Sequence, residues 1–309
     1  MQAAKVPTFY FIGVQTGKSS IMTVFPQWAQ ALGLQAEMKG IDLPLHAPAE
    51  DYREAAQFLK QDALSLGALV TTHKLDLFKA CRDIFDYIDP FGEKLEEVSC
   101  LSKRDRKFRA HAKDPISSGL ALEAFVPPNF WQQNGGEVLL LGAGGSSLAM
   151  SMYFAQQKFG GNIPKRIIIA NRSEPRLVSA KAALQGLNDQ IEFRFVHSPT
   201  PEDNDQLIAA LPPCSLIVNA TGVGKDAPGS PTADSVSYPK NSLVWEINYR
   251  GDLLFKRQAL AQRQEKNLHV EDGWQYFIHG WTQVISEVFD ITIDTGTLEK
   301  LSALARRAE

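Results

Sequence analysis

A glycine-rich turn in the middle of the chain follows a run of apolar residues, in the sequence VLLLGAGGSSLAM at 138–150. Glycines let a backbone turn tightly and approach a pyrophosphate, whose charge is then stabilised at the N-terminus of the following helix. Such a turn can also serve only to pack a strand on a helix. Because it lies between a strand pattern and a helix pattern, we predict that Gly142, Ala143, Gly144 and Gly145 bind the phosphates of a nucleotide.

The next apolar run, RIIIA at 166–170, ends in Asn171, Arg172 and Ser173. The second strand of a dinucleotide-binding domain ends beside the adenosine ribose. An acidic residue there binds the 2′-hydroxyl of NAD, whereas an arginine can pair with the 2′-phosphate of NADP. The sequence therefore favours NADP, and the alternative is a surface arginine at a strand end.

Lys74 and Asp114 are candidates for handling a proton in the N-terminal part of the chain. Lys74 follows a buried strand pattern, LGALVTT at 66–72, at the sheet edge where open α/β folds bind ligands. A lysine there can give or take the proton of an alcohol. Taken alone, Lys74 also fits a solvated lysine at a helix start, and Asp114, which precedes a proline, fits a helix N-cap.

The stretch GVQTGKSS at 13–20 ends in the Gly-Lys-Ser of a nucleotide-binding P-loop and follows the apolar run TFYFI. A P-loop has four residues between its first glycine and the Gly-Lys pair, because its backbone N–H groups must surround a phosphate. Here there are three, and no later strand pattern ends in an aspartate that would hold Mg²⁺. A P-loop nucleotidase is therefore only an alternative, and the lysine and serines need another explanation.

Short apolar strand patterns alternate with helical patterns, which predicts α/β domains with parallel sheets. We predict strands at 8–14, 37–44, 66–72, 137–145, 166–172, 191–196, 216–222 and 242–248. We predict helices at 22–34, about 50–65, 115–125, about 145–159, 174–187 and 273–304, the last broken near 295–296. The polar segment 76–113 carries no such pattern, and a Pro-Pro-Asn-Phe turn at 127–130 marks a domain boundary.

The composition is that of a globular protein, with 309 residues, a net charge of −3 and 44% hydrophobic residues. This charge gives no basic surface for nucleic acid, and the run KRDRKFR at 103–109 fits a solvated turn or strand edge. Cys81, Cys100 and Cys214 lack metal-ligand spacing, so we expect no disulfide framework and no metal site, and a reducing cytoplasm fits best. No apolar run approaches the roughly 20 residues that span a bilayer, and no export signal is visible.

In their order and separation, these features resemble the motifs of the shikimate/quinate dehydrogenase family over nearly the whole chain. That family carries a His-Ser-x-Ser-Pro loop, a Val-Thr-x-Pro-x-Lys strand end, an Asn-Thr-Asp-Gly turn and a Gly-Ala-Gly-Gly turn. Asn-Arg and Asn-Ala-Thr strand ends follow, then a late Tyr and a helix with Gly and Gln. The matching segments are 18–22, 70–74, 112–115, 142–145, 171–172, 219–221, Tyr249 and 273–280.

The resemblance implies an α/β substrate domain at 1–117, completed by the last helices at 271–309, and a Rossmann-like NADP-binding domain at 118–270. It implies hydride transfer between NADP and a hydroxyl or carbonyl of a small polyhydroxylated compound, similar to shikimate or quinate, with Lys74 and Asp114 as the catalytic pair. The alternative is an NADP-binding, dehydrogenase-like protein with a regulatory or other role. Aromatic amino acid biosynthesis in the cytoplasm, and a homodimer, are further expectations.

The resemblance also implies a set of binding residues. The substrate contacts are Ser19, Lys18, Thr71, Ser99, Tyr249 and His279. The remaining cofactor contacts are Asn219, Ala220, Thr221, Val223 and Gly273, with the nicotinamide near Thr221 and Val223.

The first substrate loop departs from the family pattern. The segment 19–22 keeps one carboxylate-binding serine, Ser19, and has Ile21 in place of the other. Lys18 stands where the family has His. The stretch that looked like a P-loop is thus a remodelled substrate loop.

Other substrate positions depart as well. The strand end at 70–74 lacks its proline, which leaves Thr71 and Thr72 as alternatives for the family threonine. Ser99 stands for a substrate-binding Asn. The family Gln aligns with Gly280, next to His279, which either replaces its hydrogen bond or is a plain helix histidine. We therefore expect that shikimate is not the preferred substrate.

Overall fold

The computed structural model describes residues 1–225 and 227–308, which fold as two compact units. The first unit contains Met1–Lys113 and the residues from Gly280 onward, and the second contains Asp114–His279. The sequence predicts domain bounds at 117/118 and 270/271, and these stay a prediction.

The first unit begins with six strands and four helices. The strands are β1 Thr8–Gly13, β2 Glu37–Asp42, β3 Ser65–Val70, β4 Tyr87–Ile88, β5 Cys100–Arg104 and β6 Lys107–His111. The helices are α1 Ile21–Leu32, α2 Ala49–Gln61, α3 Lys74–Cys81 and α4 Pro90–Leu95. The six strands form one sheet in the order β2-β1-β3-β5-β6-β4, in which β1 is parallel to β2 and β3.

The segment 76–113, which shows no clear pattern in the sequence, contains a β-hairpin. Strand β5 is antiparallel to both β3 and β6, so this sheet is mixed and the expectation of parallel strands holds for only part of it. Asp105 and Arg106 connect β5 to β6 with φ angles of 53° and 60°, as a two-residue hairpin turn requires. The charged run at 103–109 therefore comprises this turn and the paired ends of β5 and β6.

The second unit contains a fully parallel sheet. Its strands are β7 Val138–Leu141, β8 Arg166–Asn171, β9 Glu192–His197, β10 Leu216–Asn219, β11 Leu243–Glu246 and β12 His269–Glu271. Its helices are α5 Asp114–Glu123, α6 Phe130–Asn134, α7 Gly145–Phe154, α8 Glu174–Leu184, α9 Pro201–Ala209, α10 Leu254–Ala261 and α11 Arg263–Lys266. The order β12-β11-β10-β7-β8-β9 is that of a dinucleotide-binding Rossmann fold, which confirms the predicted fold class.

Several elements of this unit were absent from the sequence-based prediction. Helix α9 is short and polar, and its signal is a capping box in which Thr200 and Asp203 bond each other's backbone. Helices α10 and α11 and the three-residue strand β12 lack strong periodicity. Helix α7 ends at Phe154, so the predicted continuation to residue 159 is wrong, and only a short 3-10 turn follows at Gln157–Phe159.

Two C-terminal helices complete the chain, α12 Trp274–Phe289 and α13 Thr295–Ala308. The break lies between 290 and 294, slightly before the predicted position. The part of α12 beyond Gly280 and all of α13 belong to the first unit, where Trp281 packs on Phe11 with ring centroids 5.1 Å apart. Trp28 Nε1 donates a hydrogen bond of 2.8 Å to the carbonyl of Leu301, which fixes α13 against α1.

No helix within the described residues has the length and apolar character needed to cross a membrane. Over residues 1–225 and 227–308, no group of three or more His, Cys, Asp or Glu side chains is placed to hold a metal ion.

Candidate active site

The glycine turn connects β7 to α7 in a conformation that only glycine adopts easily. Gly142 has a φ of +114°, and a Cβ on it would lie 2.7 Å from the carbonyl oxygen of Ala220. The hydroxyl of Ser147 donates a 2.6 Å hydrogen bond to the Gly142 carbonyl and ties the turn to the helix. A Cβ on Gly144 would meet no atom within 4 Å, so that glycine leaves open space beside the N-terminus of α7.

A cavity of about 550 Å³ opens next to this turn. It lies at the carboxyl ends of β7, β8 and β10, where the strand order reverses and where open α/β sheets bind ligands. The predicted cofactor residues that line it are Gly142, Ala143, Gly144, Asn171, Arg172, Ser173, Ala220, Thr221 and Val223. Gly145, Asn219 and Gly273 do not line it.

Two arginines lie at the edge of the cavity, although the sequence singled out only Arg172. Arg176, in the first turn of α8, also lines the cavity, and both side chains are exposed. Neither guanidinium pairs with a carboxylate of another described residue. The Asn171 side chain accepts the backbone N–H of Ser173 at 3.1 Å and shapes the turn that carries Arg172. The sequence signal that could have identified Arg176 is its position in the first turn of the helix that follows Arg172.

Beneath the cavity, Glu246 at the end of β11 is fully buried and accepts hydrogen bonds from two asparagines. Asn219 Nδ2 donates to Oε2 at 2.6 Å, and Asn248 donates to Oε1 from its Nδ2 at 2.7 Å and its backbone N at 2.9 Å. Asn219 Oδ1 in turn accepts from the Thr221 hydroxyl at 2.6 Å. Burial raises the pKa of Glu246 to about 7, although the hydrogen bonds oppose this shift. Asn219 thus supports the cavity from below, and sequence reasoning missed Glu246.

Gly273 has a backbone role in the second unit. A Cβ there would lie 1.9 Å from the carbonyl oxygen of Ile247, so only glycine allows this close approach before α12. Tyr249 is half-buried and packs on Phe277 with centroids 4.5 Å apart. His279 is buried, and this burial lowers its pKa. Asp114 is the first residue of α5 and belongs to the same unit.

Lys74 follows a tight turn after β3 in the first unit. The N–H of Thr71 continues the ladder to Ile12 at 3.1 Å, and Thr72 then takes a φ of +42°. The N–H of His73 bonds back to the Thr71 carbonyl, and α3 starts at Lys74, which is half-buried.

The loop after β1 is fixed by a contact that the sequence did not reveal. Thr16 is buried, and its backbone N and hydroxyl both bond Asp42 Oδ1, at 2.8 and 2.5 Å. A Cβ on Gly40 would lie 1.9 Å from the Thr16 hydroxyl, so Gly40 makes this contact possible. Lys18 is exposed at the end of the 3-10 turn Thr16–Lys18, and Ser19 is half-buried.

Two substrate positions that depart from the family pattern are enclosed within the first unit. Ile21 has no exposed surface and is part of the core. The hydroxyl of Ser99 accepts the backbone N–H of Lys113 at 2.7 Å, so it holds the chain just before Asp114. The Lys113 ammonium bonds Glu287 Oε2 of α12 at 2.7 Å. The roles assigned to Ser99 and to the other substrate residues stay predictions.

A two-unit chain with a mixed sheet in one unit and a Rossmann sheet with a cofactor-sized cavity in the other belongs to the class of two-domain, dinucleotide-binding α/β proteins. No protein-family model matches the chain. The shikimate dehydrogenase (NADP(+)) of Paramagnetospirillum magneticum is 25% identical over 251 residues, covering 80% of this chain and 82% of that protein. That of Methylocella silvestris is 23% identical over 276 residues, covering 89% and 88%.

Solved structures agree with these relatives in fold. Shikimate 5-dehydrogenase from Thermus thermophilus, in complex with NADP(H) and shikimate, matches with a TM-score of 0.72 at 20% identity, over 98% of this chain and 99% of that one. Quinate dehydrogenase from Corynebacterium glutamicum, in complex with NAD, matches with a TM-score of 0.75 at 17% identity, over 98% and 99%. The chain thus resembles shikimate dehydrogenases in sequence at low identity and shikimate and quinate dehydrogenases in fold, in agreement with the resemblance of its motifs.

Proposed function

We propose that the protein is an NADP-dependent oxidoreductase that transfers a hydride to or from a hydroxyl or carbonyl of a small polyhydroxylated, shikimate- or quinate-like compound. The observation that carries this proposal is the cavity at the switch point of the second sheet, with the glycine turn on one side and two arginines at its edge. The curated relatives are NADP(+)-dependent dehydrogenases, which favours an enzyme over the regulatory alternative.

The residues around the cavity fit NADP. The glycine turn and the N-terminus of α7 suit a pyrophosphate, because open space remains beside Gly144 and backbone N–H groups begin the helix there. Arg172 and Arg176 suit the 2′-phosphate. Thr221 and Val223, which follow β10, would border the nicotinamide. NADP, when bound, supplies or accepts the hydride.

Lys74 and Asp114 supply the proton chemistry in this proposal. Lys74 gives the proton to, or takes it from, the reacting oxygen, and Asp114 hydrogen-bonds the neighbouring hydroxyl and orients the lysine. Lys18 and Ser19 bind the anionic end of the substrate, with Thr71, Tyr249 and His279 as further contacts.

The test is NADP-linked turnover of a panel of cyclic polyhydroxy acids by the purified chain and its Lys74→Met variant. We expect kcat to fall by about 10²–10⁴-fold in this variant, the usual contribution of a general acid or base, with the NADP dissociation constant unchanged. Lys79→Met, on the exposed side of the same helix, is the matched control and should keep full activity. Turnover within about threefold of normal in Lys74→Met would show that another group handles the proton.

The setting of this reaction is also a proposal. We propose a biosynthetic role in the formation of aromatic amino acids, in the cytoplasm. Assembly as a homodimer stays a prediction, and light scattering of the purified chain measures it directly.

A further inference from the structure

The turn between β3 and α3 holds a conformation that its residue disfavours. Thr72 has a φ of +42°, in the left-handed region that β-branched residues rarely occupy. The surrounding structure must hold such a residue in place, and strain of this kind is concentrated at functional sites. Lys74, two residues later, is the proposed proton-transfer group.

Tyr52 of α2 contacts His73, which follows Thr72 in the turn. The hydroxyl of Tyr52 lies 3.0 Å from His73 Nδ1, and both residues are only 1% exposed. The two rings are also in contact, with centroids 5.6 Å apart. The contact between the Tyr52 hydroxyl and His73 Nδ1 is one hydrogen bond, whose donor is set by the tautomer of His73.

The same histidine begins the helix. Its carbonyl accepts the N–H of Leu77 at 2.8 Å, the first hydrogen bond of α3. Its Nε2 is buried and has no hydrogen-bond partner among the described residues. An unpaired buried nitrogen costs free energy, and an apolar side chain at this position would avoid that cost. The position of His73 therefore sets both the closure of the turn and the direction of α3.

We propose that Tyr52 and His73 hold the strained turn at Thr72 closed and thereby position Lys74 for proton transfer. This inference rests on the proposed function. It makes Tyr52 and His73 positioning residues, since neither is required to touch the substrate.

Substitutions at Thr72 separate positioning from stability. In Thr72→Gly the strain is relieved, so the melting temperature should rise, but the turn becomes flexible. We expect kcat to fall by about tenfold to 10²-fold, the cost of misplacing a reacting group, while KM for NADP stays within about twofold. Thr72→Asn also tolerates a left-handed backbone but restricts it more than glycine does. Its kcat should lie between those of Thr72→Gly and the wild type.

Tyr52→Phe removes the hydroxyl that forms the hydrogen bond with His73 Nδ1. It should lower kcat by about tenfold and speed the hydrogen exchange of the Leu77 amide. Tyr238→Phe is the matched control, because it removes the hydroxyl of another fully buried tyrosine, in the second unit. It should leave both kcat and this exchange unchanged.

A Thr72→Gly variant that is more stable and as active as the wild type would overturn the proposal. If the wild type turns over no compound of the panel, the proposed function fails, and the amide exchange then decides the inference alone. Unchanged exchange at Leu77 in both Thr72→Gly and Tyr52→Phe would mean that the pair does not hold the turn.

Discussion

The two arginines at the edge of the cofactor cavity should set the preference for NADP over NAD. Arg172→Ala and Arg176→Ala each remove one cationic partner of a 2′-phosphate and leave the glycine turn intact. A hydrogen bond from an arginine to a charged group contributes about 1.5–3 kcal/mol. Because both guanidinium groups are exposed, solvent and salt weaken these bonds, and we expect each arginine to contribute about 1.5 kcal/mol to the binding of NADP. This corresponds to roughly a tenfold change in the dissociation constant.

The double variant extends this reasoning. If the contributions add, it should lose about 3 kcal/mol, or roughly 10²-fold, and bind NADP no better than NAD. Since both arginines would contact one phosphate, any departure from additivity measures their coupling. The sequence alone indicated Arg172 as the partner of the 2′-phosphate, whereas we now expect Arg176, which lines the same cavity, to share this role.

Titration calorimetry with NADP and NAD, at low and high salt, measures these constants. Arg194→Ala is the control, because Arg194 is an exposed arginine of β9 that pairs with Glu192 and does not line the cavity. Equal dissociation constants for NADP and NAD in the wild type would refute the argument. An equal loss for both cofactors in the arginine variants would show that the arginines act on the shared part of the molecule or on the fold.

Three further outcomes follow from the same contacts. Gly142→Ala should lower the free energy of unfolding by about 1–2 kcal/mol or more, because Gly142 has a positive φ and lies close to the Ala220 carbonyl. Gly144→Ala should weaken only NADP binding. Urea denaturation measures the first effect and titration calorimetry the second. Because the pKa of Glu246 is raised from 4.5 to about 7, the folded protein keeps a proton that the unfolded chain loses, so stability should fall by up to about 3 kcal/mol between about pH 4.5 and 7. Urea denaturation should show a smaller fall in Glu246→Gln, and an equal fall in both proteins would exclude Glu246 as the cause. Shikimate should have a kcat/KM at least about 10²-fold below that of the true substrate, because the Ser99 hydroxyl already bonds the backbone of Lys113. A measured kcat/KM for shikimate near 10⁵ M⁻¹s⁻¹ would contradict this.

The cofactor side was predictable because its chemistry lies in short local patterns. A strand, a glycine turn and a helix are consecutive in sequence, and the structure brings Gly142, Asn171 and Thr221 to one cavity because parallel strands end at the same edge. Arg176 was missed because an arginine on an exposed helix face is ordinary. Glu246 was missed because its two asparagine partners come together only when β10 and β11 pair.

The hairpin at 100–111 was missed for a different physical reason. Its turn residues, Asp105 and Arg106, adopt positive φ angles without a glycine, so the usual sequence signal for a two-residue turn is absent. Its strands are held by ladder hydrogen bonds and by the burial of Phe108, both of which depend on neighbouring chain segments.

The substrate side depends on contacts between distant residues, and these change what the sequence pattern implies. Ile21 occupies a serine position by alignment, yet its side chain fills the core, so its cost to substrate binding is the loss of a hydroxyl and not an apolar wall in the site. Thr16 and Asp42 lock the same loop and leave Lys18 exposed beside Ser19. A long, flexible ammonium reaches anions at more distances than a serine hydroxyl does, but it fixes their orientation less well. If Lys18 and Ser19 bind the substrate anion, as we propose, they should select it by its charge more than by the geometry of a planar carboxylate, and we therefore expect a compound other than shikimate to be the preferred substrate.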